Sequence, residues 1–275
     1  RHYVTFIIFF IYIIYFYKYL NFFFKNKYLC LLGCLILIIS PRIFANSFYN
    51  SKDIIFLSFF IFSNYYGFLF FKNKTIKNCL LFSIFSAATI SFRVIGIIVP
   101  VLFVILFLHE FIYNKKNINY LKIFVLTFFS TIFFVYLIWP FLWENPFNNF
   151  IYILKFFLFE RTQSVELLYL GEKVWSNNLP WHYLIVWVSI ANPTHIILFS
   201  LFGILVFIYN FIFLKNFLKE SKNFHMLLIL SVYIIFPFLM FIIFRFQIYS
   251  GWRHFYFLLP PLILFSIFSL NFIIF

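Results

Sequence analysis

Acidic side chains are scarce in this chain: only seven occur among 275 residues, and just one of them, Asp53, is an aspartate. Charged residues of both signs make up 10% of the sequence, against roughly 25% in a soluble domain. That shortage excludes an ordinary water-facing domain. No Asp-x-Asp pair and no glycine-rich phosphate loop is present, which argues against a nucleotide-sugar or ATP site. The three cysteines, Cys30, Cys34 and Cys79, fall inside apolar runs without a Cys-x-x-Cys or His/Cys cluster. They read as small packing residues, and no metal and no cofactor is expected. The runs also lack the apolar/polar alternation of a barrel strand, leaving helices as the elements.

What is abundant is hydrocarbon. The chain is 65% hydrophobic and 28% aromatic, with mean hydropathy +1.02. In a bilayer every backbone amide must be satisfied internally, so such a chain folds as a helix bundle. The expected fold is all-α, one polytopic transmembrane domain over 1–275 with about nine spans. The spans are placed at 4–24, 28–40, 54–71, 78–92, 95–113, 123–139, 183–213, 225–246 and 256–275. Spans 28–40 and 78–92 fall short of the ~20 residues of a perpendicular helix and are read as tilted or partly re-entrant with their neighbours. The 51 Phe accompany plentiful Ile, Asn, Lys and Tyr; this bias points to an AT-rich genome, and single Phe residues are given no functional weight.

Charge fixes an expected sidedness. Lysines fill alternate turns, at Lys25 and Lys27, then Lys72, Lys74 and Lys77, then Lys115, Lys116 and Lys122, then Lys215, Lys219 and Lys222. Short Lys/Arg-rich turns face the cytoplasm. The other set then lies outside, with Arg1, Arg42, Arg93, Arg161, Arg245, Arg253 and Asp53. The net charge of +14 is thus a topology signal and not a nucleic-acid surface, because the lysines form no contiguous basic face. The longest polar connection is the outer loop 140–182. Within it, residues 147–159 carry apolar side chains at helical spacing around Lys155, which predicts a helix lying in the membrane interface.

Several residues have chemistry to offer on that outer side. Asp53 stands where span 54–71 begins, as a helix N-terminal carboxylate or as a general base or acceptor-positioning group. Arg42, Asn50 and Lys52 share its loop and offer phosphate donors. Arg93 sits between two apolar runs and must reach a polar cavity, the headgroups or a substrate phosphate. Tyr249-Ser-Gly-Trp-Arg253-His254 joins the last two spans. There Arg253 has the planar fork for bidentate phosphate binding, His254 a donor or proton, and Tyr249 a hydroxyl. Glu144 and His182, in the long loop, are weaker candidates.

Five segments in order carry a family resemblance: Ser40-Pro-Arg-Ile-Phe-Ala-Asn-Ser-Phe-Tyr-Asn-Ser-Lys-Asp53, Phe92-Arg-Val-Ile-Gly96, Trp139-Pro-Phe-Leu-Trp143, Leu179-Pro-Trp-His-Tyr183, and Tyr249-Ser-Gly-Trp-Arg-His254 with Pro260-Pro261. Together they resemble bacterial membrane glycosyltransferases of the GT-C fold, closest to the family 39 group related to protein mannosyltransferases and aminoarabinose transferases. The resemblance implies an inner-membrane enzyme with its active site on the periplasmic face. It would move a sugar from a polyprenyl-phosphate carrier to a lipid, protein or glycan acceptor, with inversion. It also implies that Asp53 matches the family's second-outer-loop aspartate and that Arg253 stabilises the leaving phosphate. The family's main catalytic acid belongs to a first outer loop that this chain, starting at Arg1, is expected to lack. Two alternatives share the outer arginines: a transporter or flippase for lipid-linked sugars, and a polysaccharide polymerase or ligase.

Overall fold

A computed structural model describes residues 1–113, 118–158, 164–213, 222–245, 247–248 and 251–274. Its helices in chain order are α1 (His2–Leu20), α2 (Lys27–Ile39), α3 (Pro41–Tyr49), α4 (Asp53–Asn73), α5 (Ile76–Phe92), α6 (Ile98–Tyr113), α7 (Ile118–Ile138), α8 (Pro146–Leu158), α9 (Tyr183–Ala191), α10 (Thr194–Phe213), α11 (Lys222–Phe244) and α12 (Leu259–Ile274). Short 3-10 turns cover Val94–Ile97, Pro140–Leu142 and Arg253–Leu258. One antiparallel hairpin, β1 (Glu166–Tyr169) with β2 (Glu172–Trp175), interrupts the helices. The helix expected over 147–159 forms as α8.

Proline and polar caps set these boundaries. The residue before a proline is driven from helical to extended backbone. Accordingly α2 stops before Ser40-Pro41, α7 before Trp139-Pro140, and α9 before Asn192-Pro193, where Asn192 is extended at φ −115° and ψ 150°. Pro41 and Pro146 then open α3 and α8, the first-turn position that wastes no hydrogen bond. Asn26 caps α2 by accepting from the Tyr28 N–H at 2.9 Å, and Thr75 caps α5 by accepting from that of Asn78 at 3.3 Å. Pro237 lies inside α11.

Among the described residues four helices are long and apolar enough to cross a membrane: His2–Leu20, Asp53–Asn73, Leu121–Ile138 and Arg253–Ile274. Two bent pairs raise the number to six if each is one span: α2 with α3, bent by 66°, and α9 with α10, bent by 117°. The segment 183–213, expected as one straight span, is therefore two helices meeting at the Asn192-Pro193 break. Ile76–Phe92, Val94–Leu108 and Ile229–Phe244 are apolar but shorter.

The helices group into two compact units. The first is Arg1–Phe23 with Ser47–Ile151; the second is Phe24–Asn46 with Tyr152–Phe275. In the first, α1 packs on α4, α4 on α5 and α5 on α7. Aromatic rings fill much of its interior: Phe68 stacks on Tyr19 at 5.4 Å and tilts against Phe103 at 5.3 Å. A buried hydroxyl costs free energy unless it is bonded, and two serine pairs bond across helices here. Ser63 meets Ser86 at 2.6 Å between α4 and α5, and Ser83 meets Ser130 at 2.7 Å between α5 and α7. In the second unit α12 is the central element, packed on α10, α2 and α11. At Gly203 of α10 the backbones come so close that an added Cβ would lie 2.2 Å from the Phe265 carbonyl oxygen.

Candidate functional site

The first unit places its lone aspartate at a helix start. Asn50, Ser51 and Lys52 form the turn into α4, and the Asn50 side chain organises it. Its Oδ1 accepts the backbone N–H of Asp53 at 3.0 Å and that of Lys52 at 3.3 Å. Its Nδ2 donates to Asp53 Oδ2 at 2.8 Å. The other carboxylate oxygen, Oδ1, accepts from Arg93 Nη2. Asp53 is 2% exposed, so this is a buried ion pair. Arg1 braces the turn from α1's end, donating from Nε and Nη2 to Ser51 Oγ at 2.9 and 2.6 Å.

Arg93 caps the C-terminus of α5 in extended backbone, φ −151° and ψ 127°. The pair therefore joins the N-terminus of α4 to the C-terminus of α5. Helix dipoles favour an anion at the first end and a cation at the second, so both charges are stabilised by their own helices as well as by each other. The sequence had three destinations for Arg93: a polar cavity, lipid headgroups or a substrate phosphate. The structure gives it to Asp53.

In the second unit Arg42 spreads its guanidinium over the Trp187 ring, 5.1 Å from the centroid. This is cation–π geometry. Asn46, one turn on, donates to the Arg42 carbonyl at 2.7 Å and to Tyr256 Oη at 3.1 Å. Gly251 has φ +68°, and a Cβ there would come within 3.1 Å of Arg42 Nη1 and 3.2 Å of the Trp187 ring. Glycine is thus required at 251 both for its backbone and for this close approach. Trp252 and His254 are buried and Arg253 is half-buried; Trp252 meets Tyr256 edge-on at 5.1 Å. His182 is paired through Nδ1 with Tyr169 Oη at 2.7 Å.

The candidates thus separate. Asn50, Asp53 and Arg93 come together in the first unit, where Lys52 and Glu144 stand exposed. Arg42 reaches Gly251 of the 249–254 loop in the second, and His182 joins the hairpin. Tyr249 lies outside the described residues. Sequence reasoning missed Tyr169 and the hairpin, for which Gly171 at the turn was the one local signal. It also missed Trp187, an unremarkable residue in an apolar run. Among the described residues no group of three or more His, Cys, Asp or Glu could hold a metal ion.

No protein-family model, no curated protein and no solved structure matches the chain.

Proposed function

We propose that this is a membrane glycosyltransferase of the GT-C type, transferring a sugar from a polyprenyl-phosphate carrier to a lipid, protein or glycan acceptor on the outer face of a bacterial inner membrane. The observation that carries the reading is the Asp53 carboxylate, the only aspartate of the chain, held at a helix N-terminus by Asn50 and Arg93. A carboxylate so held is aimed. It orients an acceptor hydroxyl while that oxygen bonds to the anomeric carbon, the carbon–phosphate oxygen bond breaks on the opposite face, and the hydroxyl proton is taken up by a carboxylate. Its bonds to Asn50 and Arg93 suit a positioning role. The ordered motifs and the apolar helices support the same reading.

The test is release of polyprenyl phosphate from a polyprenyl-phosphate sugar by membranes carrying the protein. Asp53→Asn should lower the rate by about a hundredfold or more while insertion is kept. A wild-type rate in that variant removes Asp53 from the reaction. If the pair serves only to tie α4 to α5, the double variant Asp53→Arg with Arg93→Asp should restore activity together with stability. On our reading it restores stability alone. For the sidedness, Lys52→Cys in a background without the native cysteines should react with a membrane-impermeant maleimide applied from outside; protection there would overturn it.

A further inference from the structure

The second unit holds a polar cleft of about 490 Å³ that none of the foregoing uses. Its walls include Tyr169, Leu170 and Glu172 of the hairpin, Asn178 and His182 of the segment entering α9, and Arg245 at the end of α11. One side is firmly built. Tyr169 is buried, its ring lies 4.9 Å from that of Tyr183, and its hydroxyl is bonded to His182 Nδ1. That bond leaves Nε2 as the imidazole nitrogen open to a ligand. Burial also pushes the Tyr169 phenol above its ordinary pKa, so Tyr169 keeps its hydroxyl proton through the physiological range. Glu172, Asn178 and Arg245 are exposed.

The backbone supplies an independent observation. Three non-glycine residues among those described adopt left-handed φ: Lys74, Leu170 at +52° and Arg245 at +45°. Two of the three border this cleft. At Lys74 it ends α4, and at Arg245 it follows the end of α11, each N–H bonding back to the fourth residue before it. At Leu170 it makes the two-residue turn of the hairpin. The two turns set Leu170 and Arg245 on the walls of the cleft.

We propose that this cleft binds a hydroxyl-rich anionic ligand, a sugar bearing a phosphate or carboxylate group. The planar fork of Arg245 takes the anion through two parallel N–H donors. Glu172 accepts from sugar hydroxyls, and the Asn178 amide donates and accepts. The pairing of a guanidinium with a carboxylate is what selects the class: a bare anion is repelled by Glu172, and a neutral sugar leaves Arg245 unused. The cleft binds whether or not the chain transfers a sugar.

Calorimetric titration of the full chain in detergent micelles, with glucose 6-phosphate, glucuronate, glucose and inorganic phosphate as probes, decides it. Saturable binding of glucose 6-phosphate or glucuronate is expected, and the two identify which anion the fork prefers. Glucose and inorganic phosphate should each bind about tenfold more weakly, or worse, and Glu172→Gln and Arg245→Gln should each weaken the preferred probe by about tenfold. Absence of saturable binding by both anionic sugars overturns the proposal, as does inorganic phosphate binding as tightly as glucose 6-phosphate, or both variants binding like the wild type. Glu172 lies on an exposed hairpin, so its variant keeps the test alive if Arg245→Gln folds poorly.

Discussion

In the first unit the guanidinium of Arg93 is buried against Asp53, whereas in the second that of Arg245 stands exposed beside a cleft and that of Arg42 is spread over the indole of Trp187. The same side chain meets three energetic settings. Buried against a carboxylate between two helix ends, it must be satisfied, and its neighbours are built to do so. Over an aromatic face it keeps part of its charge available. At an exposed position beside a cleft it is open to solvent and able to meet a ligand. The comparison teaches that location outside a span is a poor guide to what an arginine does, and that the groups packed around it decide.

The largest test of this contrast is Arg93→Ala. Removing one partner of a buried pair leaves an uncompensated charge, so stability should fall by about 3–5 kcal/mol. Arg245→Ala, which keeps the same exposure, should change it by no more than about 0.5 kcal/mol. Thermal unfolding in detergent measures both, and equal losses would break the comparison. Gly203→Ala comes next: the added methyl must push α10 from α12, and overpacking of that kind costs about 1–3 kcal/mol. An unchanged melting temperature would mean the two backbones are not in such close contact. Ser83→Ala should be smaller still, because an interhelical hydrogen bond in a membrane protein is worth on average about 0.6 kcal/mol. A larger loss would make the Ser83–Ser130 contact a keystone of the first unit.

The smallest effect is on pH. Burial raises the Tyr169 phenol in the folded chain, so its contribution to stability is complete below the ordinary phenol value and is lost as pH rises through the raised one. Stability should therefore decline above about pH 10. Phenolate absorbance followed against pH should lose part of its late-titrating amplitude in Tyr169→Phe; an unchanged titration curve would mean that Tyr169 is not among the late groups.

Much of the framework could be read from the residues. The apolar runs became helices, the predicted helix in the long loop formed as α8, and Asp53 does open α4. Breaks were legible where proline made them, yet Ala191-Asn-Pro193 was passed over because apolar residues on both sides gave it the look of one continuous span. Arg93 illustrates a deeper limit. Its destination depends on a carboxylate 40 residues earlier, and no local pattern encodes which helix ends will meet. The Arg42–Trp187 contact is of the same kind, a pairing made by packing between residues far apart in the chain.

Gly203 has a mechanical consequence. With no side chain between them, α10 and α12 ride as a single plank, while the 117° elbow at Asn192-Pro193 joins that plank to the short α9. Any swing at the elbow must carry the far end of α12 along with it, together with the 3-10 turn that holds Arg253 and His254. A methyl group at 203 would press on the Phe265 carbonyl and loosen the plank at that one point.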